Sequence, residues 1–318
     1  MTTTADAPTP ADEAPRTGLG LLSAAAAVVV WGASSVLIKQ VADLDGLAIA
    51  CYRIWLGAVV VSIAFRVSGG RITRELLRRS ALGGVAFALD IILFFMAVQE
   101  TSVANATVIG ALQPVFVLLV VGRLFGEHPR AVELLWGAVA IGGAAMVVLG
   151  GDGGGANSLG GDLLAVGALI AWTAYFIWSK SARRHLTAFA YLTGMAIVAA
   201  VFVLPLALVF NDSLGSTDAN GWLTIVYITL VNGLLGHFLM SWAHGHVTLL
   251  AVSLLTLGIP VVSAAAAALW LDEPLTAPQV AGMAVVLAAL SIVSWLSARR
   301  APALVAADIE ALDAAPHP

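Results

Sequence analysis

Long apolar runs separated by short polar breaks dominate the chain. Runs at 19–39, 46–66, 81–99, 102–122, 132–150, 161–180, 187–210, 222–243, 247–271 and 279–297 each approach the roughly 20 residues that an α-helix needs to cross a hydrocarbon core. The pattern predicts an all-α membrane protein of ten transmembrane helices. The first run, from near Gly18, is too long for the apolar core of a signal peptide, so it reads as a membrane span. Residues 1–17, rich in Ala, Thr, Pro and Asp, are expected to form a disordered tail. The stretch 299–318 is expected to be a second tail, with disorder favoured over a short surface helix.

The basic residues test the span count. Of 15 Lys and Arg, all but Lys39 and Arg53 fall in the N-terminal tail or after an even-numbered span. They cluster at Arg66–Arg79, Arg123–Arg130, Lys180–Arg184 and Arg299–Arg300. The odd-numbered connections carry acids instead, among them Asp43, Asp45, Glu100, Asp152, Asp212, Asp218 and Asp272. Cytoplasmic loops hold the excess of Lys and Arg, so both termini are expected in the cytoplasm of a multi-pass cell-membrane protein.

The halves repeat. Pro114 and Glu127 recur as Pro260 and Glu273, and Thr107 as Ser253, all at an offset of 146 residues. Trp31 and Lys39 recur as Trp172 and Lys180 at an offset of 141. The first repeat then covers 18–150, a Gly-rich external connector 151–160, and the second repeat 161–298. Five is odd, so the second half enters the membrane from the opposite side. The prediction is two inverted five-helix repeats, a plan suited to alternating access around a midplane site.

At 60% hydrophobic and 11% charged residues, the chain cannot solvate a soluble fold of its size. Its one cysteine, Cys51, excludes an internal disulfide and a multi-cysteine metal site. There is no phosphate loop, metal-protease motif or catalytic triad. No catalytic residue, metal, cofactor or nucleic-acid partner is expected; the partners expected are a small-molecule substrate and the lipid bilayer. Small residues at Ala138/Gly142 and Ser263–Ala268 allow close helix packing, within the chain or in a homodimer.

Several side chains are candidates for the solute path. Trp31 and Trp172 lie about 18 Å into their spans, too deep for the interfacial belt that Trp222, Trp242 and Trp270 suit. Ser35 neighbours Trp31, and Tyr175 shares a helical face with Trp172. Ordinary helix packing explains any one of them as well as a solute lining does. Arg53, seven residues into its span, either snorkels to the surface, anchors a substrate carboxylate or pairs with a nearby acid. Asp90 and His237 lie near the midplane at quasi-equivalent places of the two halves. They suit either a proton relay or a buried packing pair. Pro114 and Pro260 should kink their helices and free the carbonyls of Gly110 and Thr256. Glu127 and Glu273 are expected to complement the dipoles of the helices that follow them, and His244 and His246 to be solvated loop residues.

These residues resemble the drug/metabolite transporter superfamily, in its EamA-like ten-helix branch. The resemblance rests on Trp31-Gly32, Arg53, Thr101–Ala106, Pro114, Gly126-Glu127, Gly236-His237, Pro260 and Leu271–Pro274. It implies transport of small organic metabolites, often amino acids or related compounds, usually outward in bacteria. An uptake permease of the same fold, a channel and an intramembrane enzyme remain as alternatives.

Overall fold

The computed structural model describes residues 16–38, 44–101, 103–150, 158–210, 214–270 and 274–313. Of these, the side chains at 34–38, 98–99, 103–105, 206–210, 298 and 300–313 are not described. Every regular element among the described residues is helical. The spans are α1 (Thr17–Ile38), α2 (Gly46–Val67), α3 (Arg74–Glu100), α4 in two pieces (Val103–Gly110 and Gln113–Phe125) and α5 (Ala131–Leu149). The second half holds α6 (Leu159–Ala182), α7 (Ala188–Phe210), α8 (Ala219–His244), α9 (Leu249–Trp270) and α10 (Ala277–Asp313). Among the described residues nine helices are long and apolar enough to cross a membrane, and α1 is the tenth apolar helix.

Local chemistry sets where these helices start. A carboxylate or hydroxyl before the first turn accepts a backbone N–H that would otherwise lack a partner. Asp45 accepts from Ala48 N at 2.7 Å, Asp218 from Gly221 N at 2.7 Å and Thr73 from Leu76 N at 3.2 Å. Ser158 and Thr248 do the same for α6 and α9. The cap at Thr73 starts α3 seven residues before the span read from hydropathy. The basic run after α2 therefore lies largely on the first turns of α3, where Glu75 holds Arg78 at 2.9 Å and Arg79 at 2.5 Å. At the other end α10 continues as helix to Asp313, where an irregular tail was expected from 299 onwards. The extension beyond Arg300 is rich in Ala, which favours helix without needing a buried face.

The packing obeys the repeat. Helix α1 packs on α8 and α9, and its mate α6 packs on α3 and α4. Helices α2 and α7, a mated pair, pack on each other, and so do α5 and α10. This is the pattern of an approximate two-fold axis, and it gives each half its main contacts in the other half. The α5–α10 contact is close because both partners are glycine. A Cβ built on Gly143 would meet the Gly282 carbonyl at 3.1 Å, and one on Gly282 would meet the Gly143 carbonyl at 2.7 Å. Ala138 and Gly142 lie exposed on the outer side of α5.

Both prolines coincide with irregular backbone, more than a simple kink. Helix α4 breaks at 111–112, before Gln113 and Pro114 restart it. Helix α9 tightens into a 3₁₀ turn at Thr256–Gly258, before Ile259 and Pro260. The interruptions are repeat mates. Gln113 is fully buried and meets the Thr256 hydroxyl at 3.5 Å, so the two broken helices touch at their breaks.

Candidate functional site

Large apolar side chains such as Leu119, Leu223 and Leu269 are exposed, while Arg53, Asp90, Gln113, Asn232 and His237 are buried. This inverts the arrangement of a soluble protein and suits a bilayer as solvent. Most of these polar groups gather where α1, α2 and α3 of the first half meet α6 and α8 of the second.

An aromatic group forms one wall. Trp31 and Trp172 meet edge to face at 5.3 Å between centroids, and Trp172 lies 5.3 Å from Tyr175. The His237 ring sits among them, 5.0 Å from Trp31, 5.5 Å from Tyr175 and 4.7 Å from Phe87. The Tyr175 hydroxyl and His237 Nδ1 share a hydrogen bond of 3.0 Å.

A polar group forms the other wall. Arg53 does not snorkel: it is 6% exposed, and its Nη2 donates to the Asn232 side-chain oxygen at 2.6 Å. The Trp31 indole N–H donates to the Asn232 backbone carbonyl at 3.0 Å. One residue of α8 thus holds side chains of both α1 and α2. Asn232 can do so because α8 widens into a π-helical stretch at Ile228–Leu235, an irregularity common at functional sites. Gly236 follows it, and a Cβ there would collide with the Trp31 indole nitrogen. Beside Arg53 lies a cavity of about 20 Å³, bordered by Arg53, Gly57, Phe87, Thr229, Gly233 and His237 but not by Trp31, Trp172 or Tyr175. That is room for roughly one water.

Trp31, Arg53, Trp172, Tyr175 and His237 are brought together. Asp90 is buried on α3, three residues from Phe87. Among the described residues no hydrogen bond joins Asp90 to His237, whose ring bonds Tyr175 instead. The side chain of Ser35 lies outside the described residues. Pro114 and Pro260 stand at the helix breaks rather than in the aromatic wall. Sequence reasoning missed Asn232, Phe87 and Gln113. The signal for Asn232 was a lone amide in an apolar run, next to glycine.

The basic end of the bundle also departs from expectation. Glu127 caps a helix, but not α5, which follows it. Its two oxygens accept from Leu249 N at 2.8 Å and Leu250 N at 3.3 Å, at the start of α9. Lys180 lies 3.5 Å from the same carboxylate and donates to the Val247 carbonyl at 2.6 Å. His244 and His246 are buried, not solvated: His244 Nδ1 meets the Ser179 hydroxyl at 2.8 Å, and His246 stacks on Trp242 at 3.9 Å. Glu273 lies outside the described residues. No cluster of potential metal ligands occurs among the described residues.

Comparison with known proteins gives a consistent picture. The model of the EamA-like transporter family matches residues 18–149 and again 159–295. A "Probable amino-acid metabolite efflux pump" of Escherichia coli (strain K12) is 26% identical over 275 residues, covering 83% of this chain and 91% of that protein. The pseudopaline exporter CntI of Pseudomonas aeruginosa is 28% identical over 240 residues, covering 74% and 82%. A protein of known crystal structure superposes with a TM-score of 0.74 over 87% of this chain and 98% of its own, at 15% identity. That last likeness speaks for the fold alone.

Proposed function

The chain belongs to the EamA-like transporter family, and on that premise we propose that it exports an amino acid or related zwitterion across the cytoplasmic membrane. Both termini would then lie in the cytoplasm, on the side of the basic loops. The observation that carries the substrate class is Arg53. It is a buried cation on the wall of a cavity between the halves, with Nε lacking any hydrogen-bond partner among the described residues. Asp90 is buried on α3, three residues from Phe87. A buried guanidinium gains a counter-charge and paired hydrogen bonds from a solute carboxylate, and a zwitterion brings one. Ile54, Leu192, Met195 and Ala196 border the same cavity and suit an apolar side chain. The names of the two relatives both denote outward transport, one of them of an amino-acid metabolite.

The cavity is far smaller than an amino acid, so the structure corresponds to a closed form, and solute entry requires the halves to part. Proton antiport would supply the energy, with Asp90 and His237 as the candidate carriers. The test is transport of radiolabelled amino acids by the purified chain in proteoliposomes, with and without a pH gradient. Gradient-driven efflux is expected. It should be lost in Arg53→Gln and uncoupled from the gradient in Asp90→Asn or His237→Gln. Gradient-driven accumulation inside right-side-out vesicles would mean uptake instead. Parent-rate coupled transport by both Asp90→Asn and His237→Gln would make that pair structural.

A further inference from the structure

The guanidinium of Arg53 offers a solute two parallel N–H groups along one edge, from Nε and Nη2. A carboxylate binds an arginine best when its two oxygens take two such donors together. In this structure one of these two nitrogens is engaged. Nη2 donates to Asn232 Oδ1 at 2.6 Å, and Nε is buried with no partner among the described residues. The space next to Nε is kept open by a missing side chain. A Cβ added to Gly233 would stand 3.6 Å from Nε, and Arg53 and Gly233 both border the cavity.

We propose that Asn232 is a resident stand-in for the solute, holding Arg53 in the empty carrier until a solute carboxylate displaces it. This rests on the reading of Arg53 as a carboxylate anchor. The chemistry makes Asn232 suitable for the role. A neutral amide oxygen satisfies one donor of the guanidinium. It binds more weakly than a carboxylate, which adds charge and a second hydrogen bond. The site is therefore preorganised and still exchangeable. The π-helical stretch gives Asn232 a way to retreat, because recovery of α-helical register there swings the side chain around the axis. The same movement would release the Trp31 indole from the Asn232 carbonyl, linking solute capture to the contact between α1 and α8.

The discriminating experiment exploits opposite signs. The full chain in lipid nanodiscs is titrated with the 20 standard L-amino acids, reading ligand-induced thermal stabilisation. The strongest binder and its carboxamide are then measured on variants. Asn232→Asp places a permanent carboxylate against Arg53 and should weaken amino-acid binding at least tenfold. Asn232→Ala clears the edge and should tighten it several-fold. If Ala is not recovered folded, Asn232→Ser, whose shorter side chain withdraws from Arg53, takes its place with the same expected sign. The carboxamide, a net cation with no carboxylate to displace Asn232, should not share the weakening in Asn232→Asp. A merely structural Asn232 predicts the reverse, with the near-isosteric Asp tolerated and Ala or Ser harmful; that result, or unchanged affinities throughout, overturns the proposal. Failure of the underlying reading looks different: Arg53→Gln then binds the amino acid as the parent does, or no standard amino acid stabilises the parent at all.

Discussion

Single atoms decide much of the candidate site. Gly236 has no side chain because the Trp31 indole occupies the place where one would be. Gly236→Ala should displace Trp31 and break its hydrogen bond to Asn232. An overpacking cost of about 1–3 kcal/mol is expected, seen as a lowered thermal midpoint together with impaired transport. Gly142 is the internal control. A Cβ there meets nothing within 4 Å, so Gly142→Ala should leave both measurements near parent values. The aromatic wall gives a second prediction at this scale. Leu in place of Trp31, Trp172 or Tyr175 keeps an apolar side chain but removes the ring with its indole N–H or phenol hydroxyl. Each variant should lose transport by more than it loses abundance, measured as activity per unit of membrane-inserted protein. Normal transport by all three would remove the aromatic wall from the solute path.

The helices themselves were largely legible in the sequence. Apolar length and the alternation of Arg-rich and acidic loops marked where each span runs, because a bilayer penalises any other reading. What remained hidden were contacts made across the bundle. Glu127 looked like a cap for α5 because it precedes that helix by a few residues. It caps α9, more than a hundred residues away, since the approximate two-fold packing brings the α4–α5 connection onto the start of that helix. The Arg53–Asn232 pair was illegible for the same reason, as no local pattern encodes a partner 179 positions distant. The π-helical stretch had no periodic signature, because one extra residue per turn disappears within an apolar run. The Glu127 cap yields a stability prediction. Glu127→Ala leaves two N–H groups of α9 without their acceptor and removes the ion-pair partner of Lys180, which keeps the Val247 carbonyl. A loss of about 1–2 kcal/mol is expected from the cap alone. A double-mutant cycle with Lys180→Met should show coupling, because the two side chains share one carboxylate. Additive losses would mean that Lys180 is held by the Val247 carbonyl alone.

At the scale of the whole molecule, two inverted halves packed on each other can exchange one closed end for the other without refolding either half. In this structure one end is fastened across the halves by Glu127, Lys180 and the start of α9, at the connections rich in arginine. At the other end Thr101 at the close of α3 donates to Asp162 at the start of α6, at 2.8 Å. Both ends are tied and the central cavity is about 20 Å³, so opening either side must break one of these contacts. Topology and exchange are tested together with single cysteines. The background is Cys51→Ala, a small change at a buried position. Impermeant thiol reagents applied to intact cells should label Ser158→Cys and spare Arg71→Cys, which should react only after permeabilisation. The opposite result would invert the topology. Thr229→Cys reports on the cavity itself, since Thr229 borders it and is 1% exposed. Alternating access makes that thiol reachable from each side of the membrane, slowly, and protects it when the two halves close over solute. A stationary pore would leave it reactive from both sides at once, with a rate unmoved by solute. A rigid packing core would leave it unreactive from either. Slow labelling from both faces, suppressed by the transported amino acid, is the expected result, because only exchange between two closed ends exposes one buried position to two compartments in turn.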